Sequence, residues 1–99
     1  MATLSDFLAK KQITEGVIVS MIGAVDECTI STMPKNDAKR DILTDYNEPL
    51  EMSGTGEIYG GKPHIHCTFG REGNQAIFGH LHRAIVGTWF ANIYIAPLK

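Results

Sequence analysis

A chain of 99 residues is one domain's worth of sequence, and 43% hydrophobic with 20% charged residues is the balance of an ordinary globular protein rather than a disordered or fibrous one. The formal charge of -2, from 9 basic against 11 acidic residues, provides no positive stripe for a phosphate backbone. No segment approaches the roughly 20 apolar residues of a membrane span, and Met1 to Gln12 lacks the basic start and apolar core of a secretion signal, so a cytoplasmic location is expected.

Thr3-Leu-Ser-Asp6 fits a capping box, with Thr3 as N-cap and Asp6 reaching back to its amide, and Ser5 is the alternative cap. Leu4, Phe7 and Leu8 then share one face, which predicts a short amphipathic helix running to about Lys11, with Gly16 as the breaker after it. Gly16 to Gly23 is rich in β-branched residues and reads as a buried strand. Gly23 and Ala24 predict a bend or bulge where the backbone approaches another group closely. Val25 to Met33 reads as a second strand with Cys28 and Ile30 on one face. Pro34 to Arg40 is a polar connection of turn-forming residues, and Asp41 to Tyr46 a short edge strand.

Leu50 to Tyr59 is the next strand, with Gly54 and Gly56 again marking bulges or close backbone contact. Gly60 to Pro63 is a turn, His64 to Phe69 a strand, Gly70 to Gln75 a turn, and Ala76 to His82 the returning strand. Ile85 to Ile95 is the last long strand, carrying Trp89, Phe90, Ile93 and Ile95 toward a core or an interface. The reading is therefore a small single α+β domain, with one short N-terminal helix and a mostly antiparallel sheet of about six strands. With no secretion signal, the widely separated Cys28 and Cys67 are expected to be reduced thiols rather than a disulfide.

The chemistry-bearing residues are the histidines. All four occur in two His-x-His pairs, His64/His66 and His80/His82. Side chains at i and i+2 on a strand point to the same face, so each pair presents two imidazoles to one side of the sheet. With the turn centred on Gly73, position 66 faces 80 and 64 faces 82. Facing residues on antiparallel strands have Cβ atoms roughly 4.5–5.5 Å apart, close enough for imidazoles to converge on one ion. A lone histidine is more often a surface or satisfied core residue; four at this spacing on consecutive strands point to a divalent metal. Neutral imidazole suits zinc, copper, nickel and iron, and the residues alone do not rank them. Cys67 follows His66 and is expected on the opposite face, which excludes it as a ligand. Glu51, Glu57 and Glu72 are the nearest carboxylates, and no Ser or Cys stands in a His-carboxylate arrangement of the kind that activates a nucleophile. Gly54, Gly56, Gly60 and Gly61 lie at a strand and a turn, not between a strand and a helix, so they form no phosphate loop.

Glu51-Met-Ser-Gly-Thr-Gly-Glu-Ile58, Pro63-His-Ile-His66 and Gly79-His-Leu81 together resemble the plant- and prokaryote-conserved (PPC) domain family, as does Gly16-Val-Ile-Val-Ser-Met-Ile-Gly-Ala24. The resemblance runs from about Leu4 to Pro97. It implies a compact α+β domain that assembles as a homotrimer, and in prokaryotic members a metal, usually zinc, held by residues corresponding to His64, His66 and His80. His82 has no counterpart in the family pattern. The family is often labelled DNA-binding because plant relatives carry separate AT-hook segments; this chain has no such hook and no basic tail. Three features depart from the pattern. The family's usual first strand is missing before the helix, which would leave a sheet edge open to pairing. Phe78 replaces a common glycine, and Asn92 stands nearest to a usual glutamate of the final strand.

Two functions follow as expectations: a metal-binding oligomeric module with a binding or regulatory role, or an enzyme using an open zinc position on a small-molecule substrate. Sequence-specific DNA binding by this chain alone is not expected from its charge.

Overall fold

The computed structural model describes residues 2–98, with side chains from residue 4 onward. Helix α1 spans Ala2–Lys10 and buries Leu4 and Leu8, one helical turn apart, while Phe7 on its flank stays 45% exposed. The capping role of Thr3 rests on a side chain outside the described residues. What ends the helix is Gln12, not Gly16. Gln12 takes a left-handed backbone (φ 58°), its N–H donates to the Ala9 carbonyl, and the Ile13 N–H donates to the Leu8 carbonyl. That bond pair is a Schellman cap, usually built on glycine, and here Ile13 completes it by packing against the core.

Among the described residues seven strands follow: β1 Glu15–Val25, β2 Glu27–Thr32, β3 Ile42–Tyr46, β4 Leu50–Tyr59, β5 Lys62–Arg71, β6 Gln75–Ile85 and β7 Ala91–Leu98. They form one sheet in the order β3-β2-β6-β5-β4-β1-β7, and every adjacent pair is antiparallel. The sheet has seven strands rather than about six, and β3 is the short edge strand expected over Asp41 to Tyr46, exposed along nearly its whole length.

One face of the sheet and the helix enclose the core. Ile18 and Met21 of β1, Met52 and Ile58 of β4, and Ile65, Cys67 and Phe69 of β5 all point into it, with Leu4 and Leu8. Strict alternation along β5 sends Ile65, Cys67 and Phe69 inward and His64, His66 and Thr68 outward. The other face of the sheet is the one that carries the histidines.

The turns explain the register. Gly60 and Gly61 both have positive φ, and Tyr59 pairs directly with Lys62, so a two-residue loop of the type favoured by strand twist joins β4 to β5. Lys62 and Pro63 belong to β5 rather than to the turn. Gly73 and Asn74, both at positive φ, close the β5–β6 hairpin between Arg71 and Gln75. Arg71 donates to Glu48 and lies 5.3 Å from the Tyr46 ring, tying the β3–β4 connection to this hairpin.

Two expectations are corrected. The apolar run from Ile85 to Ile95 is not one strand: β6 ends at Ile85, and residues 86–90 turn before β7 begins. The Trp89 N–H donates to the Val86 carbonyl, and the Asp26 carboxylate accepts the Thr88 N–H at 2.8 Å, fixing that turn to the β1–β2 corner. Trp89 and Phe90 are consequently exposed, while Ile93 and Ile95 pack against the core. The irregularity in β1 lies between Ile18 and Met21, not at Gly23. Gly23 marks a close approach instead, since a Cβ there would sit 2.0 Å from the Phe90 carbonyl oxygen.

Candidate metal centre

The site is built by β5 and β6, neighbours in the middle of the sheet. His64 and His66 stand on β5's outward face. On β6 the buried Gly79 and Leu81 leave His80 outward, and His66 pairs directly with His80. The β4 glycines let β5 lie close under its histidines. A Cβ at Gly56 would meet the His64 carbonyl oxygen at 2.3 Å, and one at Gly54 the His66 carbonyl oxygen and Cys67 Sγ at 2.9 Å. Gly79 does the same on the other side, where a Cβ would lie 2.8 Å from the Ser31 carbonyl oxygen.

Three imidazoles converge. The ring centroids of His64 lie 5.0 Å from His66 and 4.7 Å from His80, and His66 lies 5.8 Å from His80. Their ligating nitrogens all fall within 4.8 Å of one another. Nitrogens bound tetrahedrally to one zinc at about 2.0–2.1 Å are roughly 3.3 Å apart by geometry, a closing motion that small turns of exposed rings supply. His80 is held below its ordinary pKa of 6.5, first by burial and then by the neighbouring His64, His82 and His66, so at neutral pH it offers a lone pair rather than a charge. Three imidazoles on a solvent-facing wall fit a divalent transition metal with at least one coordination position left open.

The second expected pair does not form. The β5–β6 ladder ends at His66 and His80, and on the other side β6 slips by one residue against β2, from Thr29 opposite Arg83 to Ile30 opposite Leu81. His82 is the extra residue of this bulge. Its Nε2 lies 2.8 Å from the Ser31 hydroxyl, and its ring stands 4.7 Å from that of His80. Ser31, on β2, carries no local signal that would have placed it beside a histidine so far along the chain. Glu57 faces His64 across the β4–β5 ladder. Glu51 pairs with Gly70, Glu72 sits in the β5–β6 turn, and Asn92, on β7 three strands beyond β5, pairs with Ile22. Beside His64 and His66 a groove of about 540 Å³ runs along Thr55–Glu57 to Val17–Val19.

Both thiols are free and buried in the core, Cys67 opposite the histidines. Burial pushes Cys28 up to about 11 and Cys67 up to about 12, so neither offers a thiolate to a metal or a substrate.

The sequence matches the Plants and Prokaryotes Conserved (PCC) domain over residues 1–98. The chain belongs to this family. Among solved structures it is similar to a metal-containing protein from Archaeoglobus fulgidus, at 32% identity and TM-score 0.78, covering 99% of this chain and 70% of that one. It is also similar to a "putative DNA-binding protein" from Ralstonia eutropha JMP134, at 26% identity and TM-score 0.82, covering 98% of this chain and 69% of the other. A plant- and prokaryote-conserved protein from Pyrococcus horikoshii shares the fold, with TM-score 0.85 at 24% identity over 99% of this chain and 69% of its own. No curated protein matches.

Proposed function

We propose that this protein is a metal-binding, oligomeric member of its family, acting as a binding or regulatory module in the cytoplasm. One zinc ion per chain is held by His64, His66 and His80. The observation that carries this reading is the convergence of three imidazoles from two adjacent strands, with ligating nitrogens within 4.8 Å of one another on the outward face. The metal-containing relative from Archaeoglobus fulgidus supports it, and free cysteines accord with a reducing compartment. Borderline-soft, all-nitrogen donors favour zinc over magnesium or calcium, which prefer oxygen.

A second reading rests on the groove of about 540 Å³ that begins at His64 and His66. A zinc ion with an open position supplies Lewis-acid chemistry, and this groove would seat a small substrate beside it. Duplex DNA is the partner that the name of the Ralstonia relative suggests. With 9 basic residues against 11 acidic ones, however, this chain has no surplus positive charge to neutralise phosphates.

Metal analysis of the purified protein tests the assignment. Stoichiometric zinc is expected in the wild type, with none retained by the His64→Ala/His80→Ala double variant. Stoichiometric metal persisting in that variant would overturn the ligand set.

A further inference from the structure

The bulge in β6 gives this chain a histidine that is near the triad but turned from it. His82 has no partner on β2, where the register jumps past it, and none on β5, where the ladder stops at His66. Bulges of this kind re-aim a side chain. Here the ring is aimed at the hydroxyl of Ser31, a residue only 4% exposed, while His82 itself is exposed and free to turn without disturbing the core. The separation between the His82 and His80 rings, 4.7 Å, equals that between His64 and His80. His82 is therefore as close to His80 as His64 is, while the Ser31 contact takes its Nε2 elsewhere and only His64, His66 and His80 bring their ligating nitrogens within 4.8 Å of one another.

We propose that His82 is a switchable fourth ligand of this site, held off the metal by Ser31. The inference rests on the metal assignment above. With His82 parked on Ser31, three imidazoles hold the ion and the fourth position takes an exogenous ligand. When the Ser31 contact breaks and the ring turns, an imidazole lone pair replaces that exogenous ligand and the site closes with four protein nitrogens. An open three-histidine site exchanges ligands; a closed four-ligand site is structural. The single Ser31–His82 hydrogen bond thus sets whether the centre accepts small molecules.

The test compares the wild type with Ser31→Ala, His82→Ala, the double variant and Ser31→Thr. Zinc affinity is measured by competition with a chelator, and added imidazole is titrated into the cobalt-substituted proteins while the visible spectrum is followed. Removing the competing hydrogen bond should tighten zinc binding in Ser31→Ala by about fivefold or more, the equilibrium equivalent of one net hydrogen bond. The same variant should resist imidazole. His82→Ala should keep stoichiometric metal and respond to imidazole, and adding Ser31→Ala to it should change nothing. Ser31→Thr, which retains the hydroxyl, should behave as wild type. Unchanged affinity and imidazole response in Ser31→Ala would overturn the switch while leaving the three-histidine assignment standing. So would an equal change in the His82→Ala background. A wild-type protein that binds no metal would overturn both.

Discussion

His80 is the residue at which the site's electrostatics concentrate. It is more enclosed than His64 and His66 and has other histidines around it, so its imidazolium is disfavoured first by desolvation and then by like charge. Its pKa in the folded protein therefore lies below the unfolded value near 6.5. In the interval between the two values the unfolded chain binds more protons than the native one, and stability falls as pH falls. The contribution is intact above about 6.5 and is lost progressively below it, through the folded pKa. Glu48 acts in a lower range: the Arg71 hydrogen bond holds its carboxyl below the ordinary 4.5, so its contribution disappears only on further acidification. Thermal unfolding of metal-free protein should accordingly show a decline in midpoint between pH 7.5 and 5.5 that is flattened in His80→Gln. An equally steep decline in that variant would assign the acid sensitivity to other groups. Zinc should steepen the wild-type profile, because protons and metal compete for the same lone pairs.

The strands place these residues through backbone proximity, and glycine is the residue that permits it. At Gly56 any side chain would begin 2.3 Å from the His64 carbonyl oxygen, so β5 must shift to admit one. Gly61, by contrast, has open space around it and a positive φ of 78°. Gly56→Ala should destabilise the fold by about 1–3 kcal/mol through overpacking and also weaken metal binding by displacing His64. Gly61→Ala should cost about 1–2 kcal/mol from the left-handed backbone alone and leave metal affinity unchanged. Urea titration with a parallel zinc titration separates the two; equal metal affinity in both variants would remove the link between Gly56 and the site. These close approaches were legible in the sequence because glycine inside a strand marks a bulge or a close approach of backbone. The pairing of His66 with His80 was legible too, because turn position and strand period fix register. The bulge at His82 was not, since it arises from the mismatch of β6 with β2, a strand remote in sequence. The break after Ile85 was hidden by the apolar residues Val86, Trp89 and Phe90, and it depends on a carboxylate, Asp26, that arrives from the other end of the chain.

As a whole molecule, the chain leaves apolar surface on two different sides. On the histidine face, Val17, Val19, Ile22 and Tyr94 are 41–57% exposed, and Val17 lies in the same cross-strand row as Glu57 and His64. A second apolar groove of about 650 Å³ opens between the helix and the end of β6, lined by Phe7, Ile85, Val86 and Ala91 among others. A chain this short buries a smaller fraction of its surface than larger domains do, so association is a natural way to remove such patches from water. A twofold dimer places one patch against its own copy, whereas a closed ring sets one patch against a different one on the next subunit. Two dissimilar apolar surfaces on one chain therefore favour a cyclic assembly, and the homotrimer implied by the family resemblance is of that kind. Light scattering should give about three times the chain mass of 10.9 kDa across the micromolar range. Val19, 57% exposed in the single chain, provides the test. Val19→Asp leaves the core untouched but would bury an unpaired carboxylate in the assembly, at a cost of several kcal/mol. The variant should fold, with an unchanged far-ultraviolet spectrum, and run as a monomer. A wild-type monomer at all concentrations would remove the ring, and a Val19→Asp trimer would move the contact off the histidine face.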